Sequence, residues 1–262
     1  MKVVIFAGGF GSRLCEMTGE TPKPMIKVGD KPILWHVMKR FSLFGYNEFV
    51  IALGRFSDQI KNYFLDTLKT RGDLFIDFES NTSSFGKNCD SSWKIHLIDT
   101  GIHTQTGGRL RKLSRYIGNE SFMVAYGDVV GDVNISKLVN FHKSHGKLAT
   151  LTAVQPFGRY GELKLNGDQV LDFNEKPKKE WISCGFFVLE PEVLRLIDSD
   201  ETPWEKKPLE ALAQQGELMA FKHGGYWQPM DTLKDQKTLE SLWLKNDALW
   251  LKIQNERVNI YE

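Results

Sequence analysis

The chain is short of cysteine, of one-signed charge and of long apolar runs, and each shortage removes a class of protein. Only three of its 262 residues are cysteine, Cys15, Cys89 and Cys184. An odd, scattered set builds neither a disulfide framework nor the paired C-x-x-C ligands of structural zinc, so three reduced thiols are expected. Lys and Arg total 34 against 33 Asp and Glu, a formal charge of +1. Coating nucleic acid or an anionic membrane takes a basic excess, so neither partner is expected. No window approaches the roughly 20 uninterrupted apolar residues of a membrane-spanning helix. The apolar run within residues 1–9 is too short for a secretory signal, and a cytoplasmic location is the expectation.

What is present is a globular composition, 41% hydrophobic and 12% aromatic. Residues 2–7 form a β-branched apolar run that stops at glycines, the pattern of a buried strand ending in a turn. Residues 31–44 carry Ile33, Leu34, Val37, Met38 and Phe41 at helical spacing. A strand at 49–53 and a helix at 57–70 follow. Strand, helix, strand, helix within 70 residues predicts a parallel sheet flanked by helices. Strands are predicted at 121–126, 148–155 and 185–189, with helices at 135–145, 208–215 and 233–248. Residues 162–165 and 170–174 flank Asn166-Gly167-Asp168, a hairpin signal. Residues 81–92 are rich in Ser, Asn and Gly and read as a loop. The expectation is one α/β domain over 1–262, a Rossmann-like, mostly parallel sheet with a β-rich insertion.

The sharpest local signal is Ala7-Gly8-Gly9-Phe10-Gly11-Ser12-Arg13-Leu14, followed by Pro22-Lys23-Pro24-Met25. Glycines directly after a buried strand let backbone N–H groups close around a phosphate. The dinucleotide fingerprint G-x-G-x-x-G fails, because Leu14 stands where its third glycine belongs. The Walker A pattern fails too, since no Gly-Lys-Ser/Thr closes the loop. What remains is a glycine loop with a fixed cation, Arg13, and a lysine whose flanking prolines restrict its backbone. Both a phosphate cradle and a tight turn with solvated charges fit these residues. Asp128 ends a predicted buried strand, where ligands of open parallel sheets bind. Asp231 precedes the last helix. Asp132 reads as a fallback metal ligand or, better, as the N-terminal cap of the helix starting near residues 134–136.

The stretch 7–25 resembles the signature of the sugar-1-phosphate nucleotidyltransferases. Further runs match in order: Thr106-Gly107-Gly108-Arg109-Leu110, Tyr126-Gly127-Asp128, Glu175-Lys176-Pro177, Gly185-Phe186-Phe187-Val188-Leu189, Trp204-Glu205, and Trp227-Gln228-Pro229-Met230-Asp231-Thr232. They resemble the branch of that family that uses CTP and glucose 1-phosphate, over nearly the whole chain. Val129 and Cys184 depart from it, each standing where that branch usually has glycine. The resemblance implies a nucleotide-binding half at about 1–155 and a sugar-binding and C-terminal half at about 156–262. It implies nucleotide contacts from Phe6, Ala7, Gly8, Gly9, Phe10, Gly11, Ser12, Arg13, Lys23, Thr104 and Arg109. Glu175 and Lys176 would hold the sugar phosphate, and Asp128 and Asp231 one Mg²⁺. A homo-oligomer, a hexamer, is also implied, as is a place in lipopolysaccharide O-antigen biosynthesis.

The implied reaction is attack of a sugar 1-phosphate oxygen on the α-phosphorus of CTP. A phosphate monoester is already anionic at neutral pH, so no general base is required. The obstacles are repulsion between two polyanions and charge building on the departing pyrophosphate, both of which preorganised cations relieve. Arg13, Lys23 and Asp128 are therefore the expected catalytic residues, with Mg²⁺ as cofactor. Three alternatives fit the same residues less fully: a uridylyl- or thymidylyltransferase, a catalytically silent nucleotide-sugar sensor, and an NAD-dependent Rossmann enzyme. His142 and His145 are expected to make structural hydrogen bonds, and Arg111, Lys112 and Arg115 to form a solvated face.

Overall fold

Each face of the central sheet is closed by helices because successive residues of its strands point to opposite sides, and both sides are apolar. The structure, a computed structural model, describes the chain except residues 10–20, 71–73, 81, 86–91, 157–160, 176–179 and 254–262. In chain order the elements that position the site are strand β1 (Val3–Phe6), helix α1 (Ile33–Ser42), β2 (Glu48–Leu53), α2 (Ser57–Thr70), β3 (Lys94–Asp99) and α3 (Thr106–Lys112). There follow β4 (Phe122–Tyr126), β5 (Val129–Gly131), α4 (Ile135–His145), β6 (Ala149–Val154), β7 (Glu162–Asn166) and β8 (Gln169–Asn174). The chain continues through β9 (Ile182–Leu189), α5 (Lys207–Gln214), β10 (Leu218–Lys222), β11 (Trp227–Pro229) and α6 (Leu233–Leu244).

Seven strands form the main sheet in the order β10-β6-β9-β4-β1-β2-β3. Pairings β1–β2, β1–β4, β2–β3 and β6–β10 are parallel, whereas β9 is antiparallel to both β4 and β6. The reversal has a simple cause. The chain leaves β6 at its carboxyl end, builds the β7–β8 hairpin beyond the sheet, and re-enters as β9 from that same end. Along β1, Val3 and Ile5 join one apolar cluster with α1, while Val4 and Phe6 join another with Leu110 of α3 and Leu113 just past it. A strand buried on both faces reads as a continuous apolar run, which is how the sequence presents it.

Two expectations shift. The last helix ends at Leu244 rather than 248, because Asn246 adopts a left-handed conformation (φ 56°) and a 3₁₀ turn, Leu249–Leu251, follows. Within the expected loop at 81–92, Thr82–Phe85 pairs with Leu74–Asp77 as an antiparallel ribbon.

That C-terminal turn seats Trp250 against α1. The Trp250 indole N–H donates to His36 Nδ1 at 3.2 Å, and His36 Nε2 donates to the Val28 carbonyl at 2.9 Å. This arrangement requires a neutral ring, and burial pulls the His36 pKa from 6.5 down to about 4, against the opposing pull of the Val28 carbonyl. The unfolded chain therefore binds a proton that the folded chain refuses between about pH 6.5 and 4. His36 is expected to make the protein less stable as the pH falls through that window, by about 3 kcal/mol at most, and to have no such effect above pH 7. Denaturant melts from pH 7 to 4 check this: His36→Gln should flatten the slope, and an unchanged slope contradicts it.

Candidate active site

The carboxyl ends of β1, β4 and β2 meet at one edge of the sheet, where the chain leaves each strand for a loop. At the end of β4, Gly127 donates its N–H to the Phe6 carbonyl at 3.0 Å. A Cβ on Gly127 would lie 2.8 Å from that carbonyl oxygen, so only glycine permits the approach. The next residue, Asp128, is thereby turned out over the mouth between β1 and β4.

Asp231 reaches the same place from the far end of the chain. Strand β11 pairs antiparallel with β5, Pro229 opposite Val129, and the Met230 N–H donates to the Asp128 carbonyl at 2.9 Å. The start of α6 then fixes Asp231. Thr232 and Asp235 form a reciprocal capping box, and the Asp235 carboxylate also accepts the Asp231 N–H at 3.1 Å and the Gln228 side-chain amide at 3.1 Å. From below, the buried Arg40 of α1 donates to the carbonyls of Asp132 and Val133 at 2.6 and 2.7 Å, holding the chain just after β5. Burial draws the Arg40 guanidinium down to about 10.

Lys23 closes the cluster. It opens a 3₁₀ turn, Lys23–Met25, framed by Pro22 and the buried Pro24. Its Nζ lies 2.5 Å from Asp128 Oδ2 and 2.6 Å from Asp231 Oδ1. Burial lowers the Lys23 pKa, but the Coulombic pull and hydrogen bonds of Asp128, then of Asp231, outweigh it and the net direction is upward. One ammonium is thus shared by two carboxylates in a half-buried mouth, where screening by water is reduced.

Of the remaining predicted residues, Phe6, Ala7 and Gly8 are buried at the end of β1, and Gly9 is exposed beyond them. Arg109 is buried, its guanidinium donating to the carbonyls of Leu53 (2.7 Å), Gly101 (3.0 Å) and Gly8 (2.9 Å) and to the Thr100 hydroxyl (2.5 Å). It pins the entrance of the glycine loop to the ends of β2 and β3. The Thr104 hydroxyl donates to the Thr100 carbonyl at 2.6 Å and accepts from Lys112 at 3.1 Å. Glu175 stands exposed just past β8, on the approach to β9. Phe10, Gly11, Ser12, Arg13 and Lys176 lie outside the described residues.

Several expectations are corrected. Asp132 does not cap α4: Asn134 does, accepting the Lys137 N–H at 3.0 Å. Asp132 is buried instead, with Oδ1 2.9 Å from His223 Nε2. Arg111 and Lys112 do not form a purely solvated face, since both hold Asp200, at 2.7 and 2.6 Å. His142 is structural as expected, bridging Thr150 and Glu190 at 2.9 and 3.0 Å. Cys184 is buried, its thiol pushed up to about 12 by burial, which leaves it protonated and inert. Sequence reasoning missed Asp235, Arg40 and Glu205. The Thr232-x-x-Asp235 spacing is a legible capping signal for the first; the Trp204-Glu205 run resembles the family without showing what Glu205 does, and nothing local marks Arg40.

Comparison with known proteins fits this architecture. The family profile described as nucleotidyl transferase matches residues 2–243. The glucose-1-phosphate cytidylyltransferase of Salmonella typhimurium is 48% identical over 253 residues, covering 95% of this chain and 98% of that protein. Among solved structures, HddC from Yersinia pseudotuberculosis superposes with a TM-score of 0.69 at 23% identity, covering 92% of this chain and 99% of the other. A UDP-glucose pyrophosphorylase from Acinetobacter baumannii gives 0.68 at 16% identity, covering 95% of each chain. These two show a shared fold.

Because the Asp235 carboxylate is both cap and clamp, Asp235→Ala should lower stability by about 1–2 kcal/mol, the usual cost of losing a helix cap. Chemical denaturation measures it. A loss below about 0.3 kcal/mol would mean that the capping box does not hold the start of α6.

Proposed function

The chain belongs to the nucleotidyl transferase family, and from that premise we propose that it transfers the cytidylyl group of CTP to glucose 1-phosphate, forming CDP-glucose and pyrophosphate. The observation that carries the reading is the end-to-end likeness to a cytidylyltransferase at 48% identity, together with a cation already seated between Asp128 and Asp231. Two carboxylates that share an ammonium are hard oxygen donors arranged around positive charge, and such a pair fits a divalent ion of the Mg²⁺ type. Among the described residues no group of three or more His, Cys, Asp or Glu converges, so water and substrate phosphates would complete the shell. When bound, Mg²⁺ supplies charge neutralisation at the reacting phosphates.

The chain's own groups do the rest. Lys23 exchanges its carboxylate partners for the oxygens of the triphosphate, a step its single ammonium and fixed backbone favour. Arg13 neutralises the departing pyrophosphate. Glu175 accepts hydroxyl hydrogens of the sugar, and Lys176 meets its phosphate. Arg109 acts one step back, holding Gly8, where the glycine run begins, through its carbonyl. The protein thus lowers the barrier by gathering two mutually repelling anions and compensating the charge that builds on one of them.

Exposed Leu163, Leu165, Val170, Leu171 and Phe173 cover the β7–β8 hairpin. A two-stranded ribbon with that much uncovered apolar surface supports burial against a second copy of the chain, hence a homo-oligomer, with six copies the number the resemblance implies. The described residues hold no helix long and apolar enough to cross a membrane. CTP and sugar phosphates are cytoplasmic metabolites, which supports that location.

Pyrophosphate release with glucose 1-phosphate should be faster with CTP than with ATP, GTP, UTP or dTTP, and faster UTP or dTTP turnover would replace the cytidylyl assignment. Lys23→Ala and Asp128→Asn should each lower kcat by about 10²–10³-fold while the far-UV circular dichroism is unchanged. Turnover near that of the parent in either would remove the residue from the mechanism.

A further inference from the structure

Beside the Lys23 cluster lies a second polar constellation that the reaction as described does not use. Helix α3 begins with Thr106-Gly107-Gly108, and the chain at 199–205 packs directly onto it. The Gly108 N–H donates to the Thr202 carbonyl at 3.2 Å, and the Gln105 N–H donates to the Asp200 carbonyl at 2.8 Å. A Cβ on Gly107 would lie 2.5 Å from the Thr202 carbonyl oxygen, and one on Gly108 2.4 Å from that of Asp200. The paired glycines thus admit a close backbone contact, and buried Trp204 locks it, donating its backbone N–H to the Thr106 hydroxyl at 2.9 Å.

The effect is to deliver the next residue, Glu205, to the mouth of the sheet. One of its carboxylate oxygens accepts the Thr106 hydroxyl at 2.6 Å and the other accepts the Tyr126 hydroxyl. Tyr126 ends β4, two residues before Asp128, and its ring packs edge-on against Phe6 at the end of β1, centroids 5.5 Å apart. In this pair the Tyr126 hydroxyl is the donor, because an ionised carboxylate oxygen only accepts. Glu205 itself is exposed.

A carboxylate accepts about four hydrogen bonds, two per oxygen, and Glu205 spends one on each side. What it can still take is a hydrogen-bond donor, and hydroxyls are the donors that both substrates carry on their sugars. It repels phosphate, so it cannot serve the triphosphate or the sugar phosphate group. We propose that Glu205, braced by Tyr126 and Thr106, is a specificity-determining residue that reads a ring hydroxyl of the substrate, on the hexose or on the ribose. The assignment rests on the cytidylyltransferase reading, because it takes both sugars from that reaction. It adds a second carboxylate besides Glu175 that recognises sugar by accepting hydroxyl hydrogens.

The test is a steady-state comparison of the parent enzyme, Glu205→Ala and Glu205→Gln. The substrates are CTP against its 2′-deoxy and 3′-deoxy forms, and glucose 1-phosphate against its 2-, 3-, 4- and 6-deoxy forms. The expected result is that Glu205→Ala raises KM for one of the two natural substrates by about 10–150-fold, a range set by one lost hydrogen bond to a charged group. The kcat should change by less than about threefold, and discrimination against the deoxy form lacking the hydroxyl read by Glu205 should disappear. Glu205→Gln should recover part of both. Loss confined to the glucose series assigns the hexose, and loss confined to the CTP series assigns the ribose. A correctly folded Glu205→Ala that keeps both KM values and every discrimination ratio overturns the proposal. A parent enzyme without cytidylyl turnover would instead overturn the functional reading on which it stands.

Discussion

Two ionised carboxylates within reach of one atom repel each other unless a positive charge stands between them. Asp128 and Asp231 have Lys23 Nζ between them at 2.5 and 2.6 Å, and much of the surrounding architecture serves to make that meeting possible. Gly127 allows β4 to turn out beside β1. The β5–β11 pairing brings the chain just after Asp128 into register with the chain just before Asp231, and the capping box at Thr232–Asp235 aims Asp231. Lys23 is presented from a turn braced by prolines. Removing the cation from this trio leaves two like charges facing each other at low screening, which is the condition a polyanionic substrate and its metal would relieve.

The same logic explains where the protein spends its other cations. A formal charge of +1 leaves no general field to attract a nucleotide, so local placement has to do the work. Arg109 and Arg40 are both buried, and both are used on backbone carbonyls rather than on open solvent. Arg109 ties the ends of β1 and β2 and the chain beyond β3 into one ring of hydrogen bonds, and Arg40 anchors the chain after β5. Buried guanidinium groups act here as fasteners for the loops that carry the site. The single reversed strand, β9, has a related purpose: it enters the sheet from the edge where Asp128 lies and carries the chain from the β7–β8 hairpin back to the opposite edge.

Much of this was legible in the sequence, and the part that was not has a common physical reason. Apolar runs such as Val3–Phe6 and the helical stripe of α1 are local signals, so the strand–helix alternation could be read directly. The Gly-Asp pair at 127–128 and the proline-framed Lys23 could be singled out because their chemistry is unusual at that spacing. The direction of β9, the role of Arg40 and the placement of Glu205 depend on contacts between distant segments, which no local pattern encodes. Asp132 shows the opposite error. A polar residue just ahead of a helix reads as its cap, but the real cap, Asn134, sits closer, and Asp132 turns inward to His223.

The claim on which the account rests is that Lys23 and a divalent ion compete for the same two carboxylates. Calorimetric titration of Mn²⁺ into the nucleotide-free protein tests it most directly, comparing the parent with Lys23→Met. The account predicts that the variant, its carboxylates released, binds Mn²⁺ at least about tenfold more tightly, a difference of about 1.4 kcal/mol. Equal or weaker binding by a folded variant would contradict it.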